Sequence, residues 1–235
     1  MMFLDDLSTK EFEREIDDNT VVILPIGVIE EHGSHLPLST DSLQGEYVAE
    51  EVARRTGALI APPIRYGVCN TTRNFSGTVS IRFETLRSLV LDVLSEFGRN
   101  GIKNVVVLSG HAGSTHLAAL RLAAKDVVDK NDMKILVLSD YEIIYEKGFV
   151  GPEDGHSGSV ETSRVMAIRP DLIKGKGKKG VNRIPKYMVL RHPEKYWKGV
   201  TGDPAKATKK KGEELNELII QEMVKMINDM RKMEV

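Results

Sequence analysis

The 235-residue chain is 41% hydrophobic and 29% charged, enough apolar material to bury a full core as one domain spanning residues 1–235. Its 33 Lys and Arg face 34 Asp and Glu, and this balance excludes nucleic acid and anionic membranes as expected partners. The single cysteine, Cys69, excludes an internal disulfide and a cysteine-built zinc site and suits a reducing, cytoplasmic setting.

The opening MMFLDDLSTKEFE reaches charge too soon for a secretory leader, and the longest apolar run, near 21–29, is too short to span a bilayer. Strands are expected at 20–26, 58–63, 104–110 and 134–140, mostly as unbroken Val/Ile/Leu runs that suit strands buried on both faces. Between and after them, helical periodicity marks Ser42 to Arg55, Glu84 to Arg99 closed by Asn100 and Gly101, Ser114 to Asp129, and Val160 to Ile168 stopped by Pro170. This alternation predicts a three-layer α/β/α sandwich on a mostly parallel sheet. The basic, glycine-rich stretch 172–186 reads as an exposed loop and lacks the spacing of a phosphate-binding loop. From Ala205 onwards, Leu215, Ile219, Met223, Met226 and Met230 recur at helical spacing, a stripe for the core or for oligomer packing.

The charged residues gather just past the expected strand ends. In LPIGVIEEHGSHLPLSTD (24–41), Glu30 and His32 leave an extended chain on one face and Glu31 on the other. Asp41 either caps the following helix or faces Glu30 and His32, and can do both. His111, in VVVLSGHAGS, again follows a buried strand, where open α/β sheets collect their ligands. A further stretch, DGHSGSVETS (154–163), carries His156 and Glu161. Carboxylates and imidazoles in this mixture suit Zn²⁺, Mn²⁺ or Fe²⁺ rather than a thiolate site. Two such ions would be balanced by Glu30, Asp41, Glu161 and one hydroxide. The rival without catalysis is a metal- or nucleotide-binding α/β protein, and the absence of G-x-G-x-x-G after the first strand argues against a dinucleotide.

Five stretches in order, PIGVIEEHGSHLPLSTD, RYGVCNTTRNFSGTVS (65–80), SGHAGS (109–114), DGHSGSVETS and GVTGDPAKAT (199–208), resemble the successive motifs of the creatininase family of metal-dependent amidohydrolases. The resemblance runs from about residue 20 to 210 and implies an α/β/α sandwich, a homo-hexamer, and one or two divalent ions at the strand ends. It places Glu30, His32, Asp41 and His111 on the family's metal ligands, with Asp41 bridging. His156 falls on the proton-transferring histidine and Glu161 on the acid of the ETS motif.

Departures narrow the activity. Creatininase proper follows its SGH-type histidine with a tyrosine and a metal-binding glutamate, where this chain has Ala112 and Gly113. Glu161 is therefore expected to stand in for the missing acid, or else one ion binds tightly. The tryptophan that creatininase places shortly before its DGH-type histidine has no counterpart, the only tryptophan being Trp197. Cys69 and Thr72 stand where many relatives carry serine and histidine. Creatinine is thus not the expected substrate; a cyclic amide, a formamide or another small amide is, with a formamidopyrimidine nucleotide deformylase or a mycofactocin-type peptidase as alternatives. The implied mechanism is attack by metal-activated hydroxide with His156 passing a proton to the departing amine. His35 is expected to orient a ligand or else to ligate directly, Cys69 to pack, Arg73 to meet an anionic substrate group or equally to be a solvated loop charge, Gly77 and Thr78 to shape the pocket floor, and Gly110 to Ser114, including Gly113, to offer N–H groups to an oxyanion. His116 and His192 are expected to be structural.

Overall fold

The computed structural model describes residues 2–234. Its five strands, β1 (Met2–Phe3), β2 (Val21–Ile26), β3 (Leu59–Ile60), β4 (Asn104–Ser109) and β5 (Lys134–Ser139), form one parallel sheet in the order β1-β3-β2-β4-β5. The helices are α1 (Thr9–Glu15), α2 (Thr40–Thr56), α3 (Phe83–Arg99), α4 (Ser114–Val128), α5 (Asp140–Glu146), α6 (Ser159–Ile168) and α7 (Lys209–Lys232). No described helix is long and apolar enough to cross a membrane.

Every residue of β2 and β4 is buried, as unbroken aliphatic runs require of strands covered on both faces. Alternate residues divide between two apolar layers. Val21, Ile23, Val106 and Leu108 pack with Val52 of α2, Ile144 of α5, and Ile219 and Met223 of α7. Val22, Leu24, Val105 and Val107 pack with Val90 of α3 and Leu120 of α4. The expected three-layer sandwich is therefore present, and the methionine-rich stripe of α7 fills its core.

The element limits differ from expectation for local reasons. β3 shrinks to two residues because Pro62 and Pro63, which follow it closely, have no N–H to give a ladder. The first four residues of β5 are only half-buried, since this strand lies at the sheet edge. α7 begins at Lys209 rather than Ala205: Pro204–Lys206 form a separate 3₁₀ turn capped by Asp203, and Thr208 caps the long helix through Lys211 N–H. From β2 the sheet grows one way to β3 and the other way to β4, so the crevice at the carboxyl ends of β2 and β4 is where the topology reverses.

Candidate active site

Two glycines bring the first turn of α2 onto that crevice. A Cβ at Gly27, just past β2, would lie 2.3 Å from Ser42 Oγ, and one at Gly110, just past β4, would lie 2.0 Å from the Asp41 carbonyl oxygen. Only hydrogen fits at either position. Asp41 makes no capping bond; α2 starts from Ser39 without a side-chain cap, and the Asp41 carboxylate faces the strand ends instead.

There Asp41 sits between two histidines. Its Oδ1 is 3.0 Å from His32 Nε2 and its Oδ2 2.9 Å from His111 Nδ1. Glu161 Oε2 completes the first group at 3.6 Å from His32 Nε2, and Glu30 Oε2 the second at 3.0 Å from His111 Nδ1. All five residues are buried, none more than 9% exposed. The outward nitrogens are already committed: His32 Nδ1–H donates to the Glu30 carbonyl at 3.0 Å and His111 Nε2–H to the Val68 carbonyl at 3.2 Å. A neutral ring thus turns its lone pair on two carboxylates at each pole, an arrangement that needs a cation between them. His32 Nε2 and Glu30 Oε2 are buried yet make no hydrogen bond, as expected of donors meant for an ion. Ligand atoms of His32, Asp41 and Glu161 lie within 4.8 Å of one another, and nitrogen and oxygen donors of this kind fit a divalent cation.

Without cations the same geometry favours protons on the rings. Burial works against the charged form of His32, but Asp41 and Glu161 outweigh it and lift the imidazole to about 10. His111 is likewise held well above its ordinary value, burial being overcome by Glu30 and Asp41. Burial would raise the Glu30 and Asp41 carboxyls, yet the histidine charges keep both below their usual range. At Glu161 burial prevails and raises the carboxyl.

His156 stands over the first pole, its ring centroid 4.3 Å from that of His32. Its Nε2–H donates to the Glu31 carbonyl at 2.6 Å, which leaves Nδ1 free to exchange a proton. Burial and His32 oppose its protonation, but the Glu31 bond and the Glu30 and Glu161 carboxylates hold it above the ordinary histidine range. Ser157 adopts a left-handed φ of 58°, rare for serine, and so aims its N–H at Glu161 Oε2, 2.5 Å away. The DGHSGSVETS stretch thereby fixes the acid and the histidine through one turn.

Three further residues belong here that sequence reasoning passed over. Thr72 donates its hydroxyl to Glu30 Oε1. Glu31 holds His156 through its backbone, which side-chain alternation along the chain does not reveal, and its own carboxylate ties Gly33 N–H at 2.6 Å. Trp197 lies edge-on to His156 at 5.2 Å, with its indole N–H fixed to the Val200 carbonyl at 3.0 Å. Its isolation in sequence hid it; its place beside His156 is set by a distant loop.

The remaining candidates fall at varying distance from the chemistry. His35 donates to Thr162 Oγ1 at 2.9 Å, beside Glu161 rather than among the carboxylates. Gly77, with φ of 90°, turns the chain so that Thr78 Oγ1 receives the Glu31 N–H at 2.9 Å. Arg73 is exposed and outside the residues lining the cavity. Cys69 is buried beside Glu30 and His111, and burial together with the Glu30 and Asp41 charges raises its thiol. His116 is held down to about 3, mainly by burial, and its neutral Nδ1 accepts the Val68 N–H at 3.2 Å, which supports the carbonyl that orients His111. His192 is half-exposed beside Glu194.

A cavity of about 350 Å³ opens over the carboxylates. Thr72, Gly110, Ala112, Gly113, Tyr141 and Trp197 are among its walls. A Cβ at Gly113 would lie 2.4 Å from His111 Nε2, so no longer side chain fits there with His111 in this orientation.

The comparisons with known proteins agree with this site. A family model described as creatinine amidohydrolase matches residues 5–227. The chain is 31% identical over 191 residues to creatinine amidohydrolase of Pseudomonas putida, covering 73% of this chain and 74% of that one. It is 30% identical over 210 residues to the mycofactocin precursor peptide peptidase of Mycolicibacterium smegmatis, covering 83% and 79%. A crystal structure of creatinine amidohydrolase superposes with a TM-score of 0.87 at 28% identity over 99% of each chain. With nearly its whole length matched and the motif residues gathered into one site, the chain belongs to the creatininase family and is a metal-dependent hydrolase of C–N amide bonds.

Proposed function

We propose that residues 1–235 form one amidohydrolase domain holding two divalent cations, one between His32, Asp41 and Glu161 and the other between Glu30, Asp41 and His111. The observation that carries this reading is that each oxygen of Asp41 meets a different histidine, each ring presenting its uncommitted nitrogen. Glu161 then takes the place that Gly113 leaves empty. Solved creatininases in a zinc–zinc form and a manganese form, each superposing with a TM-score of 0.84, support Zn²⁺ or Mn²⁺, with Fe²⁺ admitted by the same donors. Cations at these two positions supply Lewis acidity, lowering the pKa of water towards neutrality and polarising an amide carbonyl.

The chain's own residues do the rest. His156, its Nε2 anchored on Glu31, exchanges a proton at Nδ1 and delivers it to the nitrogen that leaves. Burial works against its charged form, yet the Glu31 bond and the Glu30 and Glu161 carboxylates raise its affinity for a proton. The amino end of α4 at Gly113 has no side-chain cap, and its free N–H groups face developing negative charge. Trp197, edge-on to His156 and itself 5.9 Å edge-to-face from Phe75, walls the cavity beside the proton-transferring ring.

The substrate of this reading is a small polar amide, cyclic or formyl, other than creatinine: Ala112 and Gly113 stand in the cavity wall where creatininase proper has a tyrosine and a metal-binding glutamate. A deformylase reading is supported by 33% identity over 149 residues to the formylaminopyrimidine nucleotide deformylase of Methanothermobacter marburgensis, and a peptidase reading by the mycobacterial relative. The setting is the cytoplasm, and the form a homo-oligomer, for which Tyr187 and Val189, 91% and 95% exposed, offer apolar surface. Incubating protein loaded with Zn²⁺, Mn²⁺ or Fe²⁺ with formamides, cyclic amides and short peptides, and measuring released formate or amine, tests the function. Release that disappears in Asp41→Ala is expected; no release from any amide under any metal would overturn it.

A further inference from the structure

The pole built on Glu30 and His111 contains a donor that the other pole lacks. A carboxylate oxygen of Glu30, the Cys69 thiol and a ring nitrogen of His111 lie within 4.8 Å of one another, all buried. That is the spacing of atoms able to share one ion whose bonds are each a little over 2 Å long. The backbone around Cys69 is fixed on both sides. Its N–H donates to Ser80 Oγ at 2.9 Å, while the preceding Val68 gives its N–H to His116 at 3.2 Å and takes that of His111 at 3.2 Å. Cys69 is thus carried on the same short segment that orients His111.

Independently, Glu30 Oε2 points into this pole, buried and without a hydrogen bond. Its other oxygen is occupied by Thr72. A cysteine used only for packing sits among aliphatic groups; this one borders an unsatisfied carboxylate and an imidazole.

We infer that Cys69 is a fourth donor to the cation at the Glu30–Asp41–His111 pole, so that the two poles differ in softness and sort two different metals. On coordination the S–H bond breaks, its proton passes to solvent and the thiolate electron pair binds the ion. Glu30, Asp41, His111 and Cys69 then form a mixed oxygen, nitrogen and sulfur set suited to Zn²⁺, Co²⁺ or Cd²⁺. His32, Asp41 and Glu161 offer only nitrogen and oxygen and accept Mn²⁺ as readily. This inference rests on the two-cation reading above.

Cobalt distinguishes the two. Chelated protein titrated with Co²⁺ shows visible ligand-field bands if any ion binds, and a sulfur-to-cobalt charge-transfer band in the near ultraviolet only if a thiolate ligates. The expected result is both bands in the native chain and, in Cys69→Ser, ligand-field bands alone, with Cd²⁺ affinity down about 10- to 100-fold and Mn²⁺ affinity unchanged. Ligand-field bands without charge transfer in the native chain would overturn the thiol's role and leave the two-cation reading standing. No cobalt bound at all would overturn both. The native spectrum decides even if Cys69→Ser folds poorly.

Discussion

His32 and His111 each turn one nitrogen towards two carboxylates, so in chelated protein a proton must stand where an ion would. The consequence for stability has a definite sign. An imidazole held at about 10 in the folded chain, against about 6.5 unfolded, adds stability that is complete below the unfolded value and is lost as pH rises through the folded one. The melting temperature of chelated protein is therefore expected to fall between about pH 7 and pH 10, and that of metal-loaded protein to change less. A chelated protein with a flat profile over that range would contradict the proton's place at His32. His156 is separable from the ion-holding residues: His156→Gln is expected to lower kcat by about 10²- to 10⁴-fold while bound metal stays the same. Thr72→Val, which strips Glu30 of its hydroxyl partner, is expected to weaken metal binding or activity by about 10- to 100-fold. An unaltered metal affinity and rate in that variant would show the hydroxyl to be incidental.

Among the elements, α6 carries both Glu161 and Arg164, and the second secures the first. Arg164 is fully buried, its guanidinium 2.5 Å from Asp140 at the start of α5 and 2.8 Å from Asn216 Oδ1 on α7. One ion pair and one hydrogen bond thus join three helices behind the site. Removing one partner of a buried pair strands the other, so Arg164→Leu is expected to cost about 3–5 kcal/mol in denaturant unfolding. A loss under about 1 kcal/mol would mean that Asp140 is neutral or hydrated there. The element limits show what the sequence makes legible. Long periodic segments, α2, α3, α4 and α7, and the all-buried strands β2 and β4 are plain in it, because burial on both faces imposes unbroken aliphatic runs. β1, α1 and α5 are short, and their place comes from pairing and packing with distant segments, which no local period announces; β3 lies within the apolar run expected at 58–63 and is only shorter than that run. The glycines after β2 and β4 are visible as letters, but their purpose, letting α2 press Asp41 onto the sheet, appears only in three dimensions. Gly110→Ala is accordingly expected to displace Asp41 and to lower metal affinity more than overall stability.

Over the whole molecule, the sheet's reversal of order between β2 and β4 explains why residues as far apart as Glu30, His111 and Glu161 converge. The five metal-binding candidates and His156 could be named from residue type and motif order, since carboxylates and imidazoles in glycine-rich loops past buried strands have few other uses. Glu31, Thr72 and Trp197 could not: one acts through its carbonyl, one through a single hydroxyl, and one arrives from a loop that follows α6 by some distance in the chain. Arg73 carries a charge that the loop leaves in solvent. What unites the site is Asp41, whose two oxygens serve both poles. The decisive measurement is metal content by elemental analysis, on native protein and Asp41→Ala loaded with Zn²⁺ or Mn²⁺ and desalted, with circular dichroism to confirm that the variant is folded. About two equivalents per chain are expected in the native protein and fewer than one in the variant, because both cations lose a ligand at once. One equivalent or none in the native chain, or two retained in folded Asp41→Ala, would contradict a centre bridged by Asp41.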